Sequence, residues 1–138
     1  MVFGTFDIFH AGHRYFLRQA GRRGAVTAVI ARDRTVKQVK GHWPKYSEKE
    51  RQKIVQKSGL VAQAVLGSLG DKYKIIQIYQ PQIIALGYDQ KFFLNDLAMK
   101  LCQMGLKDNK IIRLPAYQPQ KYKSSLLRKV GDEKFRDI

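Results

Sequence analysis

Ala25-Val26-Thr27-Ala28-Val29-Ile30-Ala31 is an almost unbroken apolar run, with Thr27 its only polar residue. A short run of this kind reads as a strand covered on both faces, and that points to a parallel sheet with helices above and below it. The same pattern recurs along the chain. Val2-Phe3 reads as the end of a first strand, Ala64-Val65-Leu66 as a third, Ile83-Ile84-Ala85-Leu86 as a fourth and Lys110-Ile111-Ile112-Arg113-Leu114 as a fifth. Amphipathic segments lie between them, over about 11–23, from Ser47 onward, over 71–79 and over 92–104, with a last helix opening at Ser124. Strands alternating with helices over short connections predict an α/β fold, a Rossmann-like parallel five-stranded sheet with helices on both faces, within one domain over 1–138.

Local signals refine this reading. Gly24 and Gly105 follow helical patterns, and Gly67 and Gly87 follow strands. Ser47 and Glu50 have the spacing of a capping box, in which each side chain satisfies the other residue's orphan N–H. Residues 32–46 read as a basic loop ending in Trp43-Pro44, and 115–122 as a second loop. Ile75, Ile76 and Tyr79 are expected to face inward. The first strand is short, consistent with a clipped strand or with residues upstream of Met1. Ligands of such sheets bind beyond the carboxyl ends of the strands, near a reversal of strand order. The Gly4 turn, the 32–46 loop, the Gly87 turn and the 115–123 loop should therefore converge on one crevice.

Composition removes several classes. At 138 residues and 44% hydrophobic, the chain can bury a real core. No run of about 18 apolar residues is present, so no membrane span is expected. Gly4 and Asp7 interrupt the N-terminal segment and no basic region precedes it, so it does not read as a signal peptide. Cys102 is the only cysteine. It permits no intrachain disulfide, fits a reducing cytoplasm and reads as core filler. The net charge of +15 is shared by both halves of the chain, which excludes a basic tail. Such a charge suits nucleic acid or a pocket for polyanionic small molecules.

The chemistry concentrates where the first strand meets the first helix. His10-Ala11-Gly12-His13 puts two imidazoles at i, i+3, on one side of a helix's first turn. That turn also offers unpaired N–H groups and the positive end of the helix dipole, a place suited to phosphate. On spacing alone, a structural pair and a metal site shared with Asp7 remain open. Similarly, Lys37 and Lys45 compete with Lys40 as a phosphate-facing cation. Asp89 is also a plausible helix cap and Ser124 an N-cap, while Tyr117 could pack on the sheet edge. Trp43 is open to stacking on a planar ligand or covering the core.

Gly4-Thr5-Phe6-Asp7 followed by His10-Ala11-Gly12-His13 resembles the G-T-F-D-x-x-H-x-G-H signature of the cytidylyltransferase-like nucleotidyltransferases, a HIGH-type fold. Within that superfamily, Ala31-Arg32-Asp33, Ala64-Val65-Leu66-Gly67 and Leu86-Gly87-Tyr88-Asp89-Gln90 look most like the archaeal-type FAD synthases. The resemblance implies transfer of AMP from ATP to FMN with Mg²⁺ as cofactor. It places Gly4, Thr5, Phe6, Ala11, Gly12 and Gly87 against the nucleotide, with Gly12 permitting close approach to the helix. His10 and His13 would bind the phosphate chain at the reacting α-phosphorus. Lys40 would neutralise the β and γ phosphates, and Asp7 would face the acceptor or a metal ion. Asp89 and Tyr117 would lie near the nucleoside, and Ser124 and Ser125 would grip the terminal phosphates. No side-chain cluster is expected to cage a metal. A homodimer is implied by analogy alone.

Two rival functions follow from the same residues. A cytidylyltransferase acting on glycerol-3-phosphate or a similar polyol phosphate would share the fold. Such enzymes usually carry an arginine near the position of Gly59-Leu60 and an R-x-x-G element before the serine/threonine pair. Here Lys121 and Lys123 are the nearest cations to that pair. An inactive basic nucleic-acid-binding module would account for the charge but leaves the two histidines without a purpose.

Overall fold

A computed structural model describes residues 1–87, 90, 94–106 and 109–115. Five parallel strands form one sheet: β1 (Val2–Gly4), β2 (Thr27–Ile30), β3 (Gln63–Leu66), β4 (Ile83–Leu86) and β5 (Lys110–Arg113), in the order β3-β2-β1-β4-β5. Five helices are described: α1 (Ala11–Gly21), α2 (Asp33–Lys40), α3 (Glu48–Lys57), α4 (Lys74–Tyr79) and α5 (Leu94–Gln103).

Register explains how the strand residues divide between two cores. Val2 lies beside Ala28 and Ala85, and Ala28 beside Ala64. Side chains alternate across a strand, so these residues share one face. There they pack with Leu17 and Ala20 of α1 and Val55 of α3. Phe3 lies beside Val29, and together with Ile84 and Leu86 it turns to the opposite face. That face is covered by Ile75 and Ile76 of α4 and Leu97 and Leu101 of α5. Both faces are thus buried, which is why β2 and β4 can be almost wholly apolar. On β3, Gln52 of α3 donates to the Ala64 carbonyl at 2.9 Å, and Gln56 accepts from the Ala64 N–H at 2.8 Å. A helix side chain so occupies each backbone group of Ala64 and blunts an edge.

Several local expectations change. The basic loop contains α2, an eight-residue helix that buries Val36. Its apolar content is too small to show as a periodic stripe. Helix α1 ends at Gly21 rather than Arg23, with Arg22 as its C-cap. Tyr79 is exposed (40%) instead of inward, because α4 spans only Lys74–Tyr79 and buries Ile75 and Ile76. Cys102 is exposed and fills no core. Ser47 does cap α3, its hydroxyl accepting from the Glu50 N–H at 3.2 Å. The Glu50 carboxylate bonds that hydroxyl (3.2 Å). The last helix, expected from Ser124, lies outside the described residues.

Strand order reverses at β1. The chain runs outward through β2 and β3, then returns to place β4 on the other side of β1. The carboxyl end of β1 is therefore the switch point at which such sheets bind ligands.

Candidate active site

The turn after β1 delivers the signature residues to this point. Phe6 adopts a left-handed backbone, φ 51°. Its ring is buried and folds back over Gly4, where an added Cβ would stand 2.6 Å from the ring edge. Gly4 is glycine because Phe6 fills the space a side chain would need.

His10 and His13 form the cap of α1. The His10 Nδ1 accepts from the Gly12 N–H (3.0 Å), and the His13 Nδ1 accepts from the His10 N–H (3.3 Å). This is a capping box built from two imidazoles, with His10 at N-cap and His13 at N3. Sequence reasoning placed the only capping box at Ser47 and missed this one. The i, i+3 spacing was the available signal, but histidine is not a usual cap residue. The rings stack with centroids 3.9 Å apart and planes 22° apart. Phe9 stacks on His13 (5.7 Å), Phe6 meets it edge-on (5.3 Å), and the Arg14 guanidinium lies 4.9 Å over Phe9.

This nest controls protonation. Burial lowers the His10 pKa to about 4. Burial also holds the His13 pKa well below 6.5, helped by the charges of His10 and Lys40, while a hydrogen bond to the Ile8 carbonyl acts the other way. Both rings are neutral at pH 7. Since each Nδ1 accepts a backbone hydrogen bond, each ring carries its proton on Nε2. Lys40 is close enough for its charge to act on His13. Lys37 instead donates to the Gly41 carbonyl at the end of its own helix (2.9 Å).

Asp7 ties the β1 turn to a neighbouring segment. It is buried, and its two carboxylate oxygens accept the N–H groups of Lys45 (2.8 Å) and Tyr46 (2.9 Å). A carboxylate in that arrangement holds the 41–46 segment against the β1 turn. Among the described residues no group of three or more His, Cys, Asp or Glu could hold a metal ion.

Behind the turn lies a charged network that sequence reasoning did not single out. Arg51 of α3 is completely buried. Its guanidinium donates to the Thr5 carbonyl (2.8 Å), the Tyr46 carbonyl (2.9 Å) and the Asp33 carboxylate (2.7 Å). Arg32 donates to the Gly67 carbonyl (2.8 Å) and the Glu48 carboxylate (2.5 Å). The second oxygen of Glu48 accepts the Asp33 N–H at 2.9 Å. Burial pushes the Glu48 carboxyl up, but the Asp33 N–H and the Arg32 and Arg51 charges outweigh it and hold the pKa below the ordinary value. One continuous set of bonds thus joins the β1 turn, the start of α2, the start of α3 and the end of β3. The only hint in the sequence was charge inside an otherwise amphipathic helix, which reads more simply as a solvated face.

Across the crevice, the Gly87 N–H donates to the Gln90 side-chain oxygen (2.7 Å), and the Gln90 amide donates to the Phe3 carbonyl (2.5 Å). Arg113 donates to the carbonyls of Gly87 (2.5 Å) and Gln90 (3.2 Å). The structure thus brings Gly4, Thr5, Phe6, His10, Ala11, Gly12 and His13 together at the switch point, with Lys40 on one flank and Gly87 on the other. Asp89, Tyr117, Ser124 and Ser125 lie outside the described residues.

A parallel sheet that presents a tight glycine turn and a histidine-capped helix at its switch point is the architecture of a nucleotide-binding transferase. The family model for cytidylyltransferase-like proteins matches residues 1–130, and the chain belongs to that family. Curated relatives include the FAD synthase of Thermoplasma acidophilum, 39% identical over 94% of this chain and 90% of the relative. The FAD synthase of Methanothermus fervidus is 35% identical over 100% of this chain and 98% of the relative. A solved structure of a lipopolysaccharide core biosynthesis protein from Thermoplasma volcanium superposes with a TM-score of 0.80 at 36% identity, covering 86% of this chain and 96% of that one.

Proposed function

We propose that this chain is an FMN adenylyltransferase, joining AMP from ATP to FMN to give FAD and pyrophosphate. An oxygen of the FMN phosphate forms a bond to the α-phosphorus of ATP. The bond from that phosphorus to the β-bridging oxygen breaks, and its electron pair leaves with pyrophosphate. The nucleophile is already an anion, so no strong base is needed. The difficulty is to bring two polyanions together and to stabilise charge in line, which calls for fixed donors and positive potential.

The observation that carries this reading is the neutral, Nε2-protonated imidazole pair locked into the first turn of α1. The His10 Nε2–H, the His13 Nε2–H once it exchanges the Ile8 carbonyl for phosphate, the helix N-terminus and the nearby Lys40 charge suit the α-phosphate and the leaving pyrophosphate. Phosphate arriving beside the rings opposes the effect of burial, so nucleotide binding raises their pKa values and strengthens the donors. Mg²⁺, bound to the triphosphate, would reduce repulsion between the two substrates. The FAD synthase relatives favour ATP and FMN as the substrate pair.

The test is a matrix of ATP or CTP against FMN or glycerol-3-phosphate, with Mg²⁺, read as pyrophosphate release and by chromatography of the products. FAD should form only from ATP with FMN. Turnover confined to CTP with glycerol-3-phosphate would replace the FMN reading with the polyol phosphate one. Absence of pyrophosphate in every arm, together with salt-sensitive RNA or duplex binding, would replace it with a nucleic-acid role.

A further inference from the structure

We propose that Trp43 is the stacking platform for the isoalloxazine ring of the flavin acceptor. The inference rests on the FMN reading and assigns one half of the crevice to the flavin.

Trp43 is the only tryptophan in the chain, and it is 57% exposed. An indole left in water, away from both cores, covers no core. The segment that carries it is nonetheless fixed at both ends. On one side α2 stops at Gly41, which takes the left-handed conformation (φ 83°) while its N–H returns to the Lys37 carbonyl (2.9 Å). The Lys37 ammonium closes the same turn on the Gly41 carbonyl. On the other side Asp7 holds the N–H groups of Lys45 and Tyr46, and Arg51 holds the Tyr46 carbonyl. Pro44 follows Trp43 directly and restricts its backbone to extended conformations. An exposed aromatic on a preorganised backbone suits a planar ligand, because little order is lost on binding.

The chemistry of the segment matches an aromatic phosphate. Residues 37–46 carry Lys37, Lys40 and Lys45 and no acidic residue. Val39, at the end of α2, is also exposed (55%) and adds apolar surface to the same stretch. In FMN a ribityl chain separates the ring from the phosphate. With the reacting phosphate at the histidines, the ring needs a flat apolar surface some way off, on a rim. The 41–46 segment is such a rim, tied to the β1 turn through Asp7. It stands on the β2 side of β1, and the Gly87 turn, assigned above to the nucleotide, follows β4 on the other.

The experiment uses the full chain and compares wild type with W43L, W43F and W43Y. FMN and ATP affinities are measured separately by equilibrium dialysis, FAD formation by chromatography, and flavin emission on mixing with protein. Aromatic–base stacking energies convert to a loss in FMN affinity of between about fivefold and 150-fold for W43L. ATP affinity should stay at the wild-type value. W43Y and W43F should recover most of the loss, and quenching of flavin emission should be strong in wild type and weak in W43L. FMN affinity unchanged in W43L, with wild type forming FAD, would overturn the platform and leave the FMN reading standing. Equal losses for ATP and FMN in W43L would also overturn it, since the residue would then act on the site as a whole. A wild-type chain that neither binds FMN nor forms FAD would remove the proposed function, and this inference with it.

Discussion

The two rims of the crevice are built on opposite principles. On the β2 side, buried charges hold the backbone: Asp7 grips two N–H groups, and Arg51, at 0% exposure, joins the β1 turn to α2 and α3. On the β4 side, among the described residues, the Gly87 turn is held by an uncharged amide, Gln90, and by the exposed guanidinium of Arg113. Buried charges resist piecemeal change, because loss of one partner leaves the others desolvated and uncompensated. Exposed contacts let water replace whatever is removed. The β2 rim should therefore behave as one unit and the β4 rim as separable parts.

The sharpest way to break this contrast is Arg51→Met. Asp33 and the carbonyls of Thr5 and Tyr46 would all lose their donor, and the expected cost is about 3–5 kcal/mol of stability in urea denaturation. Arg113→Met should cost less than about 1 kcal/mol on the same measurement. Similar losses for the two would show that the rims do not differ.

On the proposed function, His13→Ala should lower turnover on the order of 10²–10³-fold, and loss of half of the cap should reduce stability by only about 1 kcal/mol. Rapid-quench kinetics on the folded variant separates the two effects.

Protonation gives a third expectation. The folded-state pKa values of His10 and His13 lie below that of free imidazole, so between about pH 4 and 6.5 the unfolded chain binds more protons. Stability should be full above pH 6.5 and fall as the solution is acidified, with His10 contributing roughly 3 kcal/mol by pH 4. Replacing both histidines with asparagine should flatten that slope in melts run across the range. An unchanged slope would mean that the rings are not held neutral.

The smallest expected effects come from a glycine pair. A Cβ at Gly4 would stand 2.6 Å from the Phe6 ring, whereas the nearest described atoms to one at Gly87 belong to Gln90, at 3.6 Å. Gly4→Ala should cost about 1–3 kcal/mol. Gly87→Ala should leave the melting temperature almost unmoved and, on the proposed placement of the nucleotide against this turn, raise KM for ATP.

Much of this fold was legible because parallel strands, glycine turns and a distinctive ten-residue signature each leave a local trace. The strand order follows from right-handed crossovers only once helix faces are assigned, and no single segment reveals it. Helix α2 was invisible because one buried residue, Val36, makes no stripe. The backbone contacts of Asp7 were hidden for a different reason. A carboxylate beside two histidines resembles a ligand, and only the fold shows backbone donors from 38 and 39 residues away meeting it. Arg51 and its partners were missed on the same ground, since a buried ion network is a property of tertiary structure.

On the proposed function, the histidine cap ties chemistry to folding in one pair of rings. A descendant that gave up the reaction could not simply let these positions drift, because the start of its first helix would fray. It would need a serine, threonine or asparagine to refit that end. Ordinary cap residues at positions 10 and 13 in a sister sequence would thus be the fossil of an abandoned activity, readable before any assay.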